Sequence, residues 1–596
     1  MTIAKLKRLT VVGTLAEKSA VLTQLQALGV LHLIDLKTEA APLIGDPFKD
    51  TRLALKYLED CPQKQRPARH LKHFNPQQQV ERVLKLKADI ERLIDERDRI
   101  STQIDALKPW GNFRLPEEDS LDGLRFYFYQ LTLKQFRQLA AMDCVYQLIK
   151  RDHRFYYVAV LHSDLPDWPI QPLKLPTVPL ADLQEQLQDA EDGIENLETR
   201  RIGATRFIQA LRDYLLDAQN ASELGQANAM THDEAGIFAL QGWCPVDQTE
   251  VVAQLGDRLG LALEIQDPAP DDNPPVFLEN SSTFAPGESL IQIYGMPGYR
   301  TWDPSAMVFV SFVLFFGLII ADAGYGVILL VLALLFRGRL VRSGKKQFWQ
   351  LWLALSLSAC IYGMLMGEYF GFEPPATSLL EKIAILQPNL EKLNELMAFS
   401  IGIGVVHVAI ANLISMVHRW PGHAFYVHLG WLLVVVGGYA AWIFGFLAPA
   451  PLLSHLGIWG LGAGLVLVFC FSHPGPLNAK GLSQWFFGGL HGLTEASKIF
   501  GDVLSYLRLF ALGLSSTYLA LTFNQLSQDA ASFGELGILL SFVILLFGHL
   551  MNFVLCIMAG TIHGLRLNFI EFYRWSQDAN EEGQLFKPFQ KYLPGR

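Results

Sequence analysis

The pattern of polar and apolar positions changes character near residue 300 of this 596-residue chain. Residues 1–300 are rich in Lys, Arg, Asp, Glu and Gln, with no apolar run near the ~20 residues a membrane helix needs. Beyond them, apolar runs lie at roughly 306–336, 348–371, 397–417, 427–447, 453–472, 496–525 and 534–573. The pattern predicts a polar domain, 1–300, followed by an α-helical polytopic membrane domain, 301–596.

Within the polar half, residues 8–37 read strand, helix, strand, and residues 235–266 repeat that character around Gly236–Leu240 and Val251–Leu259. These predict small α/β lobes near 1–60 and 230–270. Between them run two heptad seams. One is Val83, Leu86, Ile90, Leu93, Arg97, Ile100, Ile104 and Leu107. The other is Leu180, Leu183, Leu187, Ala190, Ile194, Leu197, Arg201, Ala204, Ile208, Leu211 and Leu215. Spacings of three and four with charged flanks describe coiled-coil seams, each roughly 40–55 Å long at 1.5 Å per residue. The reading is an antiparallel coiled-coil stalk near 80–110 and 178–217, with a distal α/β lobe near 117–175; two helices of an ordinary bundle are the alternative. Arg97 and Arg201 are expected to weaken the seam locally. The Pro- and Asp-rich run 268–275 reads as a linker.

In the membrane half, the run 306–336 is broken at Asp322-Ala323-Gly324 and followed by five basic residues between Arg337 and Lys346 with no acid. That loop reads as cytoplasmic. The segment at Met1–Lys5 has no signal-peptide character, so the polar half is expected on the same side. The run is therefore predicted to be a hairpin turning near Asp322, giving eight spans and cytoplasmic termini. The last span, near forty residues, exceeds a ~30 Å core and is expected to tilt.

Charge inside these spans is sparse and therefore informative. Arg508 is the only charge between Asp502 and Asp529. A permanent cation in hydrocarbon costs at least ~2.5 kcal/mol, so it calls for a partner, water or a function. On the last span His549, Asn552, Cys556, Ala559, His563 and Arg566 share one face. That stripe is expected to be a wet, ion-relay surface; a helix–helix packing face is the alternative. The net charge of −9 is mild, and no basic patch interleaved with aromatics points to nucleic acid. The six cysteines are scattered, without metal or disulfide spacing. No phosphate loop is present: Gly338–Lys346 has the wrong spacing, and Gly460-x-Gly462-x-Gly464 reads as helix packing.

Ser505-Tyr506-Leu507-Arg508-Leu509 and His563-Gly564-Leu565-Arg566-Leu567-Asn568-Phe569-Ile570-Glu571-Phe572-Tyr573 resemble the membrane subunit a, in prokaryotes subunit I, of rotary V-type and A-type ATPases. Ala321–Gly326, Gly363–Gly371 and Gly404–His407 continue the resemblance, which spans essentially the whole chain. Two stretches depart from it: Ile320-Ala321 stands where the family often has Phe-Gly, and Arg574–Gly583 lacks a glycine-rich form.

The resemblance implies a stator subunit of the prokaryotic plasma membrane. It would hold ion half-channels against a proteolipid c-ring, and its lobes would bind peripheral-stalk subunits. Proton or sodium flow would be coupled to ATP chemistry on a soluble ATPase sector joined through a central stalk, with no cofactor, metal or nucleotide site in this chain. It implies that Arg508 meets the ring carboxylate, assisted by Arg566. Half-channel candidates are Glu495, His491, His563, Glu571, Asn552 and His549, with Glu368, His407 and Asp322 as secondary candidates. Glu495 and Glu571 could instead be solvated interfacial acids, and Glu368 and His407 satisfied packing residues. The rival class is a self-contained ion-coupled secondary transporter with a cytoplasmic regulatory domain; a membrane-anchored scaffold would leave both arginines without purpose.

Overall fold

The computed structural model describes residues 3–36, 46–68, 74–114, 124–142, 144–163, 170–372, 374–375, 378–385, 393–473, 479–577 and 582–593. They form two units, Met1–Leu36 with Thr231–Phe589, and Lys37–Met230 with Gln590–Arg596.

The first unit opens with β1 (Leu6–Thr14), α1 (Lys18–Leu28) and β2 (His32–Ile34). Gly29, in the left-handed conformation, ends α1 and turns the chain into β2.

The second unit begins with α2 (Lys49–Glu59) and α3 (Pro76–Leu107). Asn75 caps α3 by accepting the Gln78 N–H at 3.2 Å, with Pro76 at the first helical position. The distal lobe is built from β3 (Arg125–Leu131), α4 (Leu133–Leu139), β4 (Val145–Arg151) and β5 (Tyr156–His162), in strand order β3-β5-β4. α5 (Leu180–Ala204) and α6 (Ile208–Met230) return. Ile104 and Leu107 at the end of α3 pack with Leu183 at the start of α5, while Val80 and Val83 pack with Leu211 of α6. The pair is antiparallel. Arg201, expected to disturb the seam, lies over the Tyr57 ring at 4.0 Å and donates to the Tyr57 carbonyl at 2.9 Å. The seam thus accommodates a cation by giving it a π face and an acceptor.

Back in the first unit, β6 (His232–Glu234), β7 (Ile237–Pro245), α7 (Thr249–Leu259) and β8 (Ala262–Gln266) complete a sheet ordered β2-β7-β1-β8, with β6 paired to β7. α8 (Ala285–Tyr294) and β9 (Met296–Pro297) precede the membrane half.

That half comprises α9 (Ser305–Ile320), α10 (Ala323–Arg342), α11 (Lys346–Met366), the short α12 (Leu379–Ile383), α13 (Leu393–His418), α14 (His423–Trp442), α15 (Pro451–Phe471), α16 (Ala479–Leu504), α17 (Leu507–Ala531) and α18 (Glu535–Arg566). Among the described residues, seven helical segments, with α16 and α17 counted as one of 51 residues, are long and apolar enough to span a membrane, and α9 is a shorter apolar helix of 16 residues. The chain is a membrane protein with the expected helical architecture.

The hairpin at Asp322 forms as predicted. Asp322 caps α10, its Oδ1 accepting the N–H groups of Gly324 at 2.7 Å and Tyr325 at 3.1 Å. Gly363 of α11 lies so close to this turn that an added Cβ would sit 2.1 Å from the Ala323 nitrogen, which requires glycine there. After α19 (Tyr573–Ser576), β10 (Glu582–Gly583) pairs with β9. The tail then enters the lobe: Phe586 is buried with Leu6 and Trp243, and the Lys587 N–H donates to His32 Nδ1 at 2.9 Å.

Candidate functional site

Arg508 stands where one long apolar segment bends. α16 and α17 are separated at Ser505–Tyr506, where the Tyr506 and Leu509 N–H groups bond three residues back. Tyr506 explains the break. Its carbonyl accepts the Ser400 hydroxyl at 2.6 Å, and its own hydroxyl meets His407 Nδ1 at 2.6 Å. Gly404 makes room: a Cβ there would lie 2.6 Å from the Tyr506 ring. His407 also stacks on Phe572, centroids 4.4 Å apart. It is buried and ties α13 to the bend, while its Nε2 has no hydrogen-bond partner among the described residues.

Opposite the bend, α18 ends in a π-helical turn, Leu567–Phe572. Such a turn carries an extra residue and re-aims the side chains beyond it. It presents Glu571, which is buried at 1% exposure, to the bend. Arg566 Nε lies 3.9 Å from Glu571 Oε1, and half of the Arg566 side chain remains exposed. Arg508 lies within electrostatic range of Arg566, Glu571 and His563. The Ser505 hydroxyl donates to the Gly501 carbonyl at 3.1 Å and lies within interaction range of the Glu571 carboxylate. The structure therefore gathers Arg508, Arg566, His563 and Glu571. Arg508 Nη1, His563 Nδ1 and Glu571 Oε2 are buried without a hydrogen-bond partner among the described residues. Unsatisfied buried polar atoms are costly, so a cluster of three needs a reason. Two arginines and a histidine face one carboxylate, which makes the pocket receptive to another anion.

The earlier part of the polar stripe behaves differently. Asn552 Nδ2 donates to the Tyr325 hydroxyl at 3.1 Å and to the Ser516 carbonyl at 2.9 Å. Tyr325 Oη meets His549 Nδ1 at 2.8 Å, His549 Nε2 meets Asn524 Oδ1 at 2.9 Å, and Asn524 Nδ2 donates to the Phe370 carbonyl at 2.8 Å. One set of directions satisfies the whole chain, with the imidazole proton on Nε2. The Cys556 thiol reaches the Ser516 hydroxyl at 3.0 Å. These hydrogen bonds of His549, Asn552 and Cys556 join α10, α17 and α18.

The remaining candidates lie outside the cluster. Asp322 is a buried helix cap, and Glu368 is buried beside it, its carbonyl accepting the Ala323 N–H at 2.9 Å. Glu495 pairs with Lys498 at 2.6 Å on α16, and His491 is exposed one turn earlier.

Known proteins carry the same resemblance. A V-type ATP synthase subunit I of Chlamydia pneumoniae is 27% identical over 595 residues, covering 86% of each chain. One from Borreliella burgdorferi is 26% identical over 84% of each chain. An A-type ATP synthase subunit I of Pyrococcus horikoshii is 28% identical over 68% of this chain and 62% of its own. The chain is a homologue of V-type and A-type ATP synthase subunit I. No protein-family model matches it. A crystal structure of the cytoplasmic N-terminal domain of a subunit I, homologous to subunit a of V-ATPase, covers 44% of this chain at 14% identity, with a TM-score of 0.21 that is too low to argue the fold.

Sequence reasoning missed Asp502, Ser505, Arg574 and Trp575 around the cluster. A signal existed: Asp502, Ser505 and Arg508 recur every three residues, so they share one side of the α16–α17 segment. The bend and the π turn, which decide what that side faces, leave no such periodic mark.

Proposed function

We propose that this chain is the stator membrane subunit of a rotary V/A-type ATPase, coupling proton or sodium flow to ATP hydrolysis or synthesis on partner subunits. The observation that carries the reading is the unsatisfied cluster at the bend, Arg508 with His563, Arg566 and Glu571. Arg508 would meet a carboxylate of a proteolipid ring turning past α17 and α18. A fixed cation favours the ionised carboxylate and so prompts release of its ion. Away from the arginine the carboxylate is neutralised before it faces lipid, where a charge is costly. Arg508 would also repel cations and so block a direct leak between two half-channels. His563, Arg566 and Glu571 would line one half-channel, and the exposed face of α16 with His491 and Glu495 would open toward the other.

The stalk and distal lobe would dock on peripheral-stalk subunits, holding the chain still while the ring turns with the central stalk under the soluble ATPase sector. Both termini would lie in the cytoplasm and the spans in the plasma membrane. Arg508→Ala, Arg508→Gln and Arg508→Lys test this. All three are expected to abolish ATP-driven ion uptake into vesicles while the complex assembles, since lysine loses the planar fork and can shed its proton. Near-parent uptake by assembled Arg508→Ala complex would sink the reading. Deleting residues 117–175 is expected to release the soluble sector and leave the membrane half inserted.

A further inference from the structure

Three positions on the α16–α17 segment face three on the end of the last helix in an antiparallel register. Asp502 meets Arg574, Ser505 comes within range of Glu571, and Arg508 comes within range of Glu571 and Arg566. Only the first pair is fully made. The Asp502 carboxylate, 6% exposed, accepts Arg574 Nη1 at 2.7 and 3.0 Å and Trp575 Nε1 at 2.8 Å. A carboxylate buried with three such bonds, two of them from an arginine, holds its geometry strongly. The residues after Glu571 are pinned on other sides as well. The Trp575 carbonyl accepts the Ser415 hydroxyl at 2.7 Å, the Trp575 ring meets Trp431 at 5.6 Å, and the Ser576 carbonyl accepts Trp302 Nε1 at 2.9 Å. Glu571 therefore sits on a π turn held at its far end by a knot, and Asp502 hydrogen-bonds that knot to the segment that bears Arg508.

We infer that Asp502 is a positioning residue: its brace to Arg574 and Trp575 sets the register in which Arg508 faces Glu571 and Arg566. The inference rests on the functional reading above only for its effect on transport; the register itself is a property of this chain. The Asp502 carboxylate is taken up by Arg574 and Trp575 within this chain. A helix slip of one residue moves a side chain by about 1.5 Å along the axis and about 100° around it, enough to remove Glu571 from Ser505 and Arg508.

The test uses the assembled complex with two readouts. In the first, Asp502→Ala is expected to lower ATP-driven ion uptake per assembled complex by about tenfold or more, the cost of an ångström-scale misplacement, while ATP hydrolysis continues. Asp502→Glu, which keeps the acceptor charge, is expected to regain most of it. In the second, cysteines replace Ser505 and Glu571, and the yield of their oxidative cross-link is expected to fall when Asp502→Ala is added. The cross-link needs no transport, so it reports register even if Arg508 proves dispensable. An unchanged cross-link yield, or a loss of uptake wholly accounted for by lost assembly, overturns the inference.

Discussion

The last helix carries one polar stripe with two different fates. Around His549, Asn552 and Cys556 every hydrogen bond closes within the chain, through Tyr325, Ser516 and Asn524. Further along, at His563 and Glu571, buried polar atoms lack partners among the described residues, and two arginines crowd one carboxylate. Both regions carry similar polar residue types, and His563 continues the α-helical period of His549 and Asn552. What separates them is satisfaction. A closed network is glue between helices, worth a modest amount per bond; an open one is poised for something that arrives.

The sharpest way to break this contrast is to substitute one member from each side. Glu571→Gln keeps the shape of the site and removes its one carboxylate. ATP-driven uptake is expected to fall on the order of a hundredfold, as for loss of a positioned proton-transfer group, with assembly unchanged. Asn552→Leu should do the opposite. It removes the two hydrogen bonds that Asn552 donates, to the Tyr325 hydroxyl and the Ser516 carbonyl, at a cost of about 1–3 kcal/mol, read as a lower yield of assembled complex or a lower melting temperature. Uptake per assembled complex is expected to stay close to the parent. Reversal of these two outcomes would mean that satisfaction does not mark function here. Arg566→Ala should be milder than Glu571→Gln, because half of that side chain is already exposed and water can replace part of its charge.

The smallest effect lies outside the membrane, where the tail meets the lobe. Burial holds the His32 imidazole below its ordinary pKa, with the Lys587 charge adding to the effect. In the folded lobe the neutral ring accepts the Lys587 N–H. Since the folded value is depressed, the unfolded lobe binds the extra proton first. Stability is therefore fully present above the unfolded value of about 6.5 and falls as pH drops through it. Proteolysis of the tail is expected to speed up modestly between about pH 7.5 and about pH 5.5, either side of that value, and His32→Gln should flatten the dependence. An equal pH response in the variant would place the titration elsewhere.

Much of this architecture was legible in the residue pattern. The heptads marked α3 and α5, and the five basic residues after 336 forced a hairpin that Asp322 indeed caps. Arg508 and Arg566 stood out because charge is expensive in an apolar run. The partition of the stripe was not legible. Asn552 and His563 look alike in sequence, and only Tyr325, Asn524 and Ser516, from other helices, satisfy one and not the other. Arg201 shows the same limit in the stalk: the seam position was plain, but the Tyr57 ring that accommodates it comes from a distant stretch of chain. Asp502 reads in sequence only as the boundary of an uncharged run, because its partners Arg574 and Trp575 lie 72 and 73 positions away.

The contrast between the two ends of the stripe is measured most directly by cysteine accessibility in the assembled complex. Single cysteines at Asn552, His563 and Arg566 would be exposed to a small, water-soluble thiol reagent, with the parent's native cysteines as background. Thiol reactivity follows exposure and nearby positive charge, so cysteine at 563 or 566 is expected to react at least about tenfold faster than at 552. Equal protection at all three positions would make the whole stripe a packing face, and fast reaction at 552 would make the whole stripe wet; either result would contradict the division between a closed and an open end.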